Sequence, residues 1–370
     1  MQSSSLVSVI TISFLSAGLI GLGAGIGIIF GANLGTTTGA WLVAGLGLKV
    51  KISAYAMPML VFGIILVFQK SKTAKGFGYV LAGLGFLFLG IHYMKEGFEA
   101  FKSSIDLVAY AVPGFKGLII FTLIGIFATV VMQSSHATLV LIITALASQQ
   151  ITYENALALA IGANVGTTIT AIIGAMSSNV EGRRLAGAHL IFNVVTGAIA
   201  ILFIQQFLFA VNTVSEAFGI AEDDYTLKLA VFHTLFNLVG VLVMLPFTNR
   251  LVHWLQRLLK GEVKSISEPR YLNDAVLEMP DTAIEAMRNE TRHLFDNAFH
   301  IIARTLNLSP TDLRSHRPIE EVIKEARRFV KYDIDTHYER RVKTIHGAIV
   351  AFASRAQAND SAHHKEGLFA

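Results

Sequence analysis

The stretch Gln133-Ser134-Ser135-His136, with Gly162-Ala163-Asn164-Val165-Gly166-Thr167-Thr168 behind it, has a near-copy at the start of the chain. That copy is Gln2-Ser3-Ser4-Ser5, followed by Gly31-Ala32-Asn33-Leu34-Gly35-Thr36-Thr37. From Gln to the first Gly the interval is 162 − 133 = 29 in one copy and 31 − 2 = 29 in the other, so the offset is 131 without a gap. Two multi-residue blocks in one register mark an internal duplication. Duplication inside a multi-span chain is a signature of carriers whose sites lie near the bilayer midplane on interrupted helices.

The surrounding composition carries the membrane half of that reading. Hydrophobic residues make up 53% and charged residues 15% of 370, against about 25% charged in ordinary soluble chains. No charged residue or histidine occurs before Lys49, and between Lys116 and Glu181 the one formal charge is Glu154. Apolar segments of spanning length fall at 22–48, 54–68, 76–94, 117–147, 156–176, 185–210 and 227–247. Of the 56 formal charges, 36 lie from Arg250 onward, which separates a membrane body from a polar tail. The expected organisation is a transport domain over 1–249, with repeat 1 at 1–69, repeat 2 at 76–209 and an extra helix at 227–247. An amphipathic exit and linker follow over 250–280, and a helical tail over 281–370.

Basic loops mark the cytoplasmic side, which puts Lys70, Lys72, Lys75, Arg183, Arg184 and Arg250 inside and the acidic loop at Glu216, Glu222, Asp223 and Asp224 outside. Lys49 and Lys51 are discordant. Counting spans back from Arg183, segment 117–147 must enter and leave on one side, a re-entrant hairpin with Gln133 at its tip. Counting back from Lys70, the first copy opens to the opposite side. The predicted fold is therefore an all-α membrane protein of two inverted repeats with re-entrant hairpins and broken helices, followed by a small helical bundle. The offset also predicts that a helix and half a hairpin belong ahead of Met1. The tail is expected in the cytoplasm and the body in the inner (plasma) membrane.

The motif's chemistry follows from its residue types. Gln-Ser-Ser tips offer amide and hydroxyl groups at a helix start, where free N–H groups and the dipole favour an anion. The Gly-Ala-Asn-x-Gly-Thr-Thr blocks place glycines where the backbone can unwind. Asn33, Thr36, Thr37, Asn164, Thr167 and Thr168 add uncharged oxygens, the hard ligands that suit sodium. A phosphate dianion buried there needs partners, and no lysine or arginine is close in sequence to supply them. Sodium ions bound beside it would. His136, in place of the first copy's Ser5, is a tip residue that titrates within the physiological range if its pKa is ordinary.

A second pattern, His-x-x-Phe-Asn, runs from His189 to Asn193 and from His233 to Asn237, and reads as helix-to-helix hydrogen bonding or as support for the site. The absence of cysteine excludes disulfides and thiol chemistry. Paired carboxylates, a metal-ligand histidine cluster, a nucleophile elbow and a phosphate loop are all missing from the sequence, so an enzyme is not expected, nor any cofactor beyond sodium as coupling ion. No basic cluster interleaved with aromatics suggests nucleic acid. Phosphate, sodium and the lipid bilayer are the expected partners, with a homo-oligomer or a cytoplasmic regulator engaged through the tail.

These doubled blocks and the two His-x-x-Phe-Asn runs closely resemble the sodium/phosphate cotransporter family (type II, bacterial branch) over residues 1–247. The resemblance implies that Gln2, Ser3, Ser4, Ser5, Gln133, Ser134 and Ser135 build the phosphate and sodium sites, with His136 departing from the family's fourth serine. It also implies sodium-coupled phosphate transport by alternating access, the alternative being a phosphate-responsive regulatory membrane protein that binds without net transport. The tail from Asp281 looks like a short version of the phosphate-regulon protein PhoU, on helical pattern and charge mix.

Overall fold

The computed structural model describes residues 3–47, 53–102, 111–260, 268–325 and 333–360. Gln2, Lys49 and Lys51 lie outside them. Among the described residues the chain is all-helical, with no strand. The body contains α1 (Ser4–Ser16), α2 (Leu22–Gly35), α3 (Thr37–Trp41), α4 (Ser53–Val67), α5 (Lys72–Lys102), α6 (Gly114–Met132), α7 (Ser135–Ala147), α8 (Tyr153–Met176), α9 (Val180–Leu202), α10 (Ile204–Ala217), α11 (Tyr225–Met244) and α12 (Thr248–Leu258). The tail adds α13 (Pro280–Thr305), α14 (Pro310–Leu313), α15 (Ile319–Glu325), α16 (Ile334–Tyr338) and α17 (Thr344–Asp360). Among the described residues six stretches of helix are long and apolar enough to cross a membrane: 22–45, 72–100, 114–132, 153–176, 180–202 and 225–258. The chain is a multi-pass membrane protein.

The duplication is visible in the helix ends. α1 and α7 start and stop at positions that differ by 131, and so do the starts of α2 and α8. At 1.5 Å per residue, α1 and α7 are each about 20 Å long, short of the roughly 30 Å apolar layer. Segment 117–147 is accordingly two helices, α6 and α7, hinged at Gln133, whose left-handed backbone (φ 51°, ψ 23°) ends α6 and reverses the chain.

The copies part company after the Asn. Following α2 the chain keeps helical dihedrals through Thr36 (φ −67°, ψ −16°), whose N–H still donates to Ala32 O (3.0 Å), and runs on as α3 and a π-helical turn over Leu42–Gly47. Nor does the second copy unwind, because Gly162 and Gly166 lie inside continuous α8. There glycine serves close packing instead. A Cβ on Gly162 would strike Thr122 O and lie 2.8 Å from Ile126 N, and one on Gly166 would lie 2.7 Å from Ile126 O, all on α6. Segment 185–210 also differs from expectation: it bends at Phe203, where φ −110° and ψ 30° interrupt the helix between α9 and α10.

The chain divides into two compact units. One comprises Met1–Ser8, Gly27–Ala171 and Ala188–Thr248, the other Val9–Ile26, Ile172–Gly187 and Asn249–Ala370. In the first, α8 is central: 67% of its apolar stretch is buried, against 22% for α5 and for α6. The outward faces of α4, α5 and α6, with Phe62, Phe77, Phe86 and Phe127 exposed, have the character of lipid-facing surface. Its core gathers Val43, Ile143, Leu157, Ile161, Leu229 and Phe232.

In the second unit, Gly18 (φ +76°) turns the chain beneath the Tyr271 ring, where a Cβ would lie 3.0 Å from Cε1. Ser13 Oγ donates to Ala275 O (2.6 Å) and Asn289 Nδ2 to Ala17 O (2.8 Å). Ala17, Val276, Ala283, Ala286, Phe352 and Ala356 form its core, joining α13 to α17. Fully buried Glu290 accepts from the N–H groups of Arg270 (2.7 Å) and Tyr271 (2.8 Å) and pairs with His293 Nδ1 (2.7 Å). That carboxylate fastens the linker onto α13. Arg184, read from sequence as a topology marker, is buried: it pairs with Glu181 and donates Nε and Nη2 to Leu259 O (3.0 and 2.7 Å), at the end of α12, where a cation offsets the negative pole of the helix. In amphipathic α12, Leu251 and Leu255 are buried while Trp254 and Leu258 are exposed.

Candidate functional site

Both tips are built the same way. Ser134 is extended (φ −150°, ψ 107°) and caps α7, its Oγ accepting from Ala137 N (3.2 Å). Ser3 Oγ accepts from Leu6 N (3.2 Å) at the start of α1, the same bond shifted by 131 residues. A capping hydroxyl uses a lone pair, so its own proton stays available to an anion, beside the remaining free N–H groups of the first turn. Ser4 is buried and Ser5, Ser135 and His136 are half-buried, whereas Gln133 is exposed at the hinge. Gln2 lies outside the described residues. The second tip is latched internally by Thr129 Oγ1, which donates to Thr138 Oγ1 (3.0 Å), while Thr138 Oγ1 also lies 3.0 Å from Ser134 O.

The second tip meets the end of the first Gly-Ala-Asn block. The His136 ring lies over Gly39 so closely that any Cβ there would collide with its Cε1 and Nδ1. Two residues on, Trp41 Nε1 donates to Thr234 Oγ1 on α11 (2.9 Å). Beside Thr234, the His233 ring sits 3.1 Å (Nε2) from Asn164 Oδ1, and Asn164 Nδ2 donates to Asn237 Oδ1 (3.1 Å). α3, α7, α8 and α11 thus converge, bringing His136, Asn164, His233 and Asn237 into one region. The first tip reaches the other His-x-x-Phe-Asn run, where His189 Nδ1 lies 3.4 Å from Ser8 Oγ, whose proton goes to Ser4 O (2.7 Å).

The threonines are poised rather than consumed. Thr36 and Thr37 donate to Asn33 O and Leu34 O (both 2.8 Å), and Thr167 and Thr168 to Ala163 O (3.0 Å) and Val165 O (2.7 Å). With each proton committed to a carbonyl, each hydroxyl oxygen keeps acceptor capacity. Asn33, Asn164 and all four threonines are buried. Among the described residues no group of three or more His, Asp and Glu is placed to hold a metal ion.

Sequence reasoning missed Ser8, Gly39, Trp41, Thr129, Thr138 and Thr234. Thr234 is a variable position of one His-x-x-Phe-Asn run and the others lie outside the repeated blocks; at the offset of 131 Ser8, Gly39 and Trp41 correspond to Leu139, Thr170 and Ile172, so the duplication gives no signal for them. The nearest cation on α11 is Lys228, five residues before His233 and buried, its Nζ 5.9 Å from the Tyr225 ring centroid. It borders a cavity of about 900 Å³ lined by Tyr153, Asn212, Ser215, Glu222 and Asp223 among others.

Two kinds of likeness bear on this geometry. The chain is 26% identical over 302 residues to the "Putative inorganic phosphate export protein YjbB" of Escherichia coli (strain K12), a match over 80% of this chain and 53% of that protein. It therefore spans about half the length of that relative. It is 30% identical over 264 residues to the "Uncharacterized protein YqeW" of Bacillus subtilis (strain 168), covering 69% of this chain and 80% of the other. No solved structure matches it. The family described as Na+/Pi-cotransporter matches at residues 1–96 and 115–261, which contain both tips, both Gly-Ala-Asn blocks and both His-x-x-Phe-Asn runs. By that match the chain belongs to the Na+/Pi-cotransporter family.

Proposed function

We propose that this chain carries inorganic phosphate across the membrane, coupled to sodium, by alternating access. The observation that carries the reading is the doubled cap: Ser3 on α1 and Ser134 on α7 make the same bond at the same offset. Each leaves a hydroxyl proton and free N–H groups for an anion. The uncharged oxygens of Asn33, Thr36, Thr37, Asn164, Thr167 and Thr168 accept sodium, whose charge offsets that of phosphate in a region otherwise built from neutral side chains. Sodium acts as the coupling ion, with no other cofactor, and the protein works as a carrier and not as an enzyme.

Inverted hairpins open the site to opposite faces of the inner membrane in turn, and the tail lies in the cytoplasm, where a regulator or a second copy engages it. The family name supports phosphate and sodium as the pair. The name of the Escherichia coli relative supports phosphate and favours outward movement. Radiolabelled phosphate flux in proteoliposomes tests the proposal: flux in either orientation should rise when a sodium gradient is imposed. Phosphate binding without flux would replace the carrier by a phosphate-responsive regulatory protein.

A further inference from the structure

The two duplicated asparagines and the two His-x-x-Phe-Asn runs, which lie 233 − 189 = 44 residues apart, make a pair of three-residue sets, one joined and the other open. Asn164 bridges His233 and Asn237 at 3.1 Å each, and Asn237 Nδ2 also donates back to His233 O (2.8 Å). The counterpart of Asn164 at the repeat offset is Asn33, and the other His-x-x-Phe-Asn run supplies His189 and Asn193. In that run Asn193 Nδ2 donates to His189 O (3.0 Å), the same internal bond. The bridging bonds are absent. Asn33 Nδ2, His189 Nε2 and Asn193 Oδ1 are all buried and lack a hydrogen-bond partner.

These three orphans are the counterparts of three of the four bridging atoms on the other side, Asn164 Nδ2, His233 Nε2 and Asn237 Oδ1. A buried amide N–H, amide oxygen and ring nitrogen left bare together are uncommon, since buried polar groups are nearly always paired. Helices α2 and α9 are already in contact here, with the Phe30 and Phe192 rings 4.6 Å apart between centroids. Phe30 lies one turn before Asn33, and Phe192 directly precedes Asn193. Ser8 holds the opposite ring nitrogen of His189, which keeps Nε2 directed away from α1.

We infer that the two sets are alternately closed clasps: in the other access state Asn33 Nδ2 donates one proton to His189 Nε2, an acceptor because Nδ1–H faces Ser8 Oγ, and the other to Asn193 Oδ1, while Asn164 lets go of His233 and Asn237. His233, Asn237, His189 and Asn193 are then positioning residues that hold a sodium-ligand asparagine in one state and release it in the other. The exchange conserves hydrogen bonds, so neither state is favoured outright, as a bistable element requires. This rests on the alternating-access reading above.

The natural lack of cysteine provides the test. Single cysteines replace Leu6 and Ala137, equivalent positions in the first turns of α1 and α7 whose side chains take no part in the caps, and the ratio of their labelling rates by a thiol reagent reports the access state. Asn237→Ala weakens the clasp that is closed here, and Asn193→Ala weakens its counterpart. The two should shift the ratio in opposite directions by about fivefold, the factor one net hydrogen bond is worth. The double variant should return towards the parent value. Asn237→Ser and Asn193→Ser stand in for any variant that is not recovered folded. Shifts in the same direction, or none, in chains whose ratio still responds to sodium plus phosphate would overturn the clasps alone. A parent ratio that sodium plus phosphate leaves unmoved would overturn alternating access and the clasps with it.

Discussion

At Ser134 one hydroxyl serves two ends, capping α7 through its oxygen and keeping a proton for an anion. The two roles are separable by substitution. Aspartate caps a helix as well as serine does, whereas alanine forfeits about 1 kcal/mol. Ser134→Asp should therefore leave the hairpin folded yet put a carboxylate in the proposed phosphate position, abolishing saturable phosphate binding. Ser134→Ala should lower affinity and loosen the hairpin together. Isothermal titration with phosphate, alongside thermal unfolding of the purified protein, distinguishes them, and undiminished binding in Ser134→Asp would remove this hydroxyl from the site. The cap was legible in the sequence because it links residues three apart. The crowding of His136 against Gly39 was not, because those residues lie almost a hundred positions apart and share no repeat signal.

At the scale of helices, identical glycines have acquired different work. Gly162 and Gly166 let α8 approach the backbone of α6, but an added Cβ at Gly31 or Gly35 meets nothing within 4 Å. Gly162→Ala must push α6 away through backbone atoms that cannot rotate aside, at a cost of about 3 kcal/mol. Gly31→Ala fills open space and gains helix propensity, so its stability should stay within about 0.5 kcal/mol of the parent or rise. Unfolding midpoints in detergent compare the two directly, and equal losses would mean that the α6–α8 crossing is looser than described. The doubled motif predicted unwinding at both glycine blocks. Neither unwinds: Thr36 keeps helical dihedrals between α2 and α3, and Gly162 and Gly166 lie inside α8, where a glycine facing another helix serves as a contact.

For the whole molecule, the proposed orientation now rests on fewer free charges than the sequence offered. Arg184 is committed to Glu181 and to the end of α12, which leaves Lys70, Lys72, Lys75, Arg183 and Arg250 as the exposed residues among the inside markers, with exposed Lys116 at the start of α6 discordant. The proposed orientation places the tail inside. A cysteine replacing exposed Ser354 on α17 should resist an impermeant maleimide in intact cells and react once the membrane is opened. Labelling in intact cells would invert the topology and, with it, the assignment of which tip faces which side.

The sequence by itself determined the membrane body, the register of the duplication, the break at Gln133 and the residue types at both tips. Each of these depends on composition or on contacts within a few positions, which a linear pattern records. Tertiary structure alone decided which histidine each asparagine meets. The His-x-x-Phe-Asn spacing is the same in both runs, yet Asn164 is bridged by His233 and Asn237 while Asn33, His189 and Asn193 retain unpartnered atoms. That difference arises from the rotational setting of α2, α8, α9 and α11 about their own axes. A helix's periodicity names the residues on a face, but only packing against its neighbours fixes where the face points.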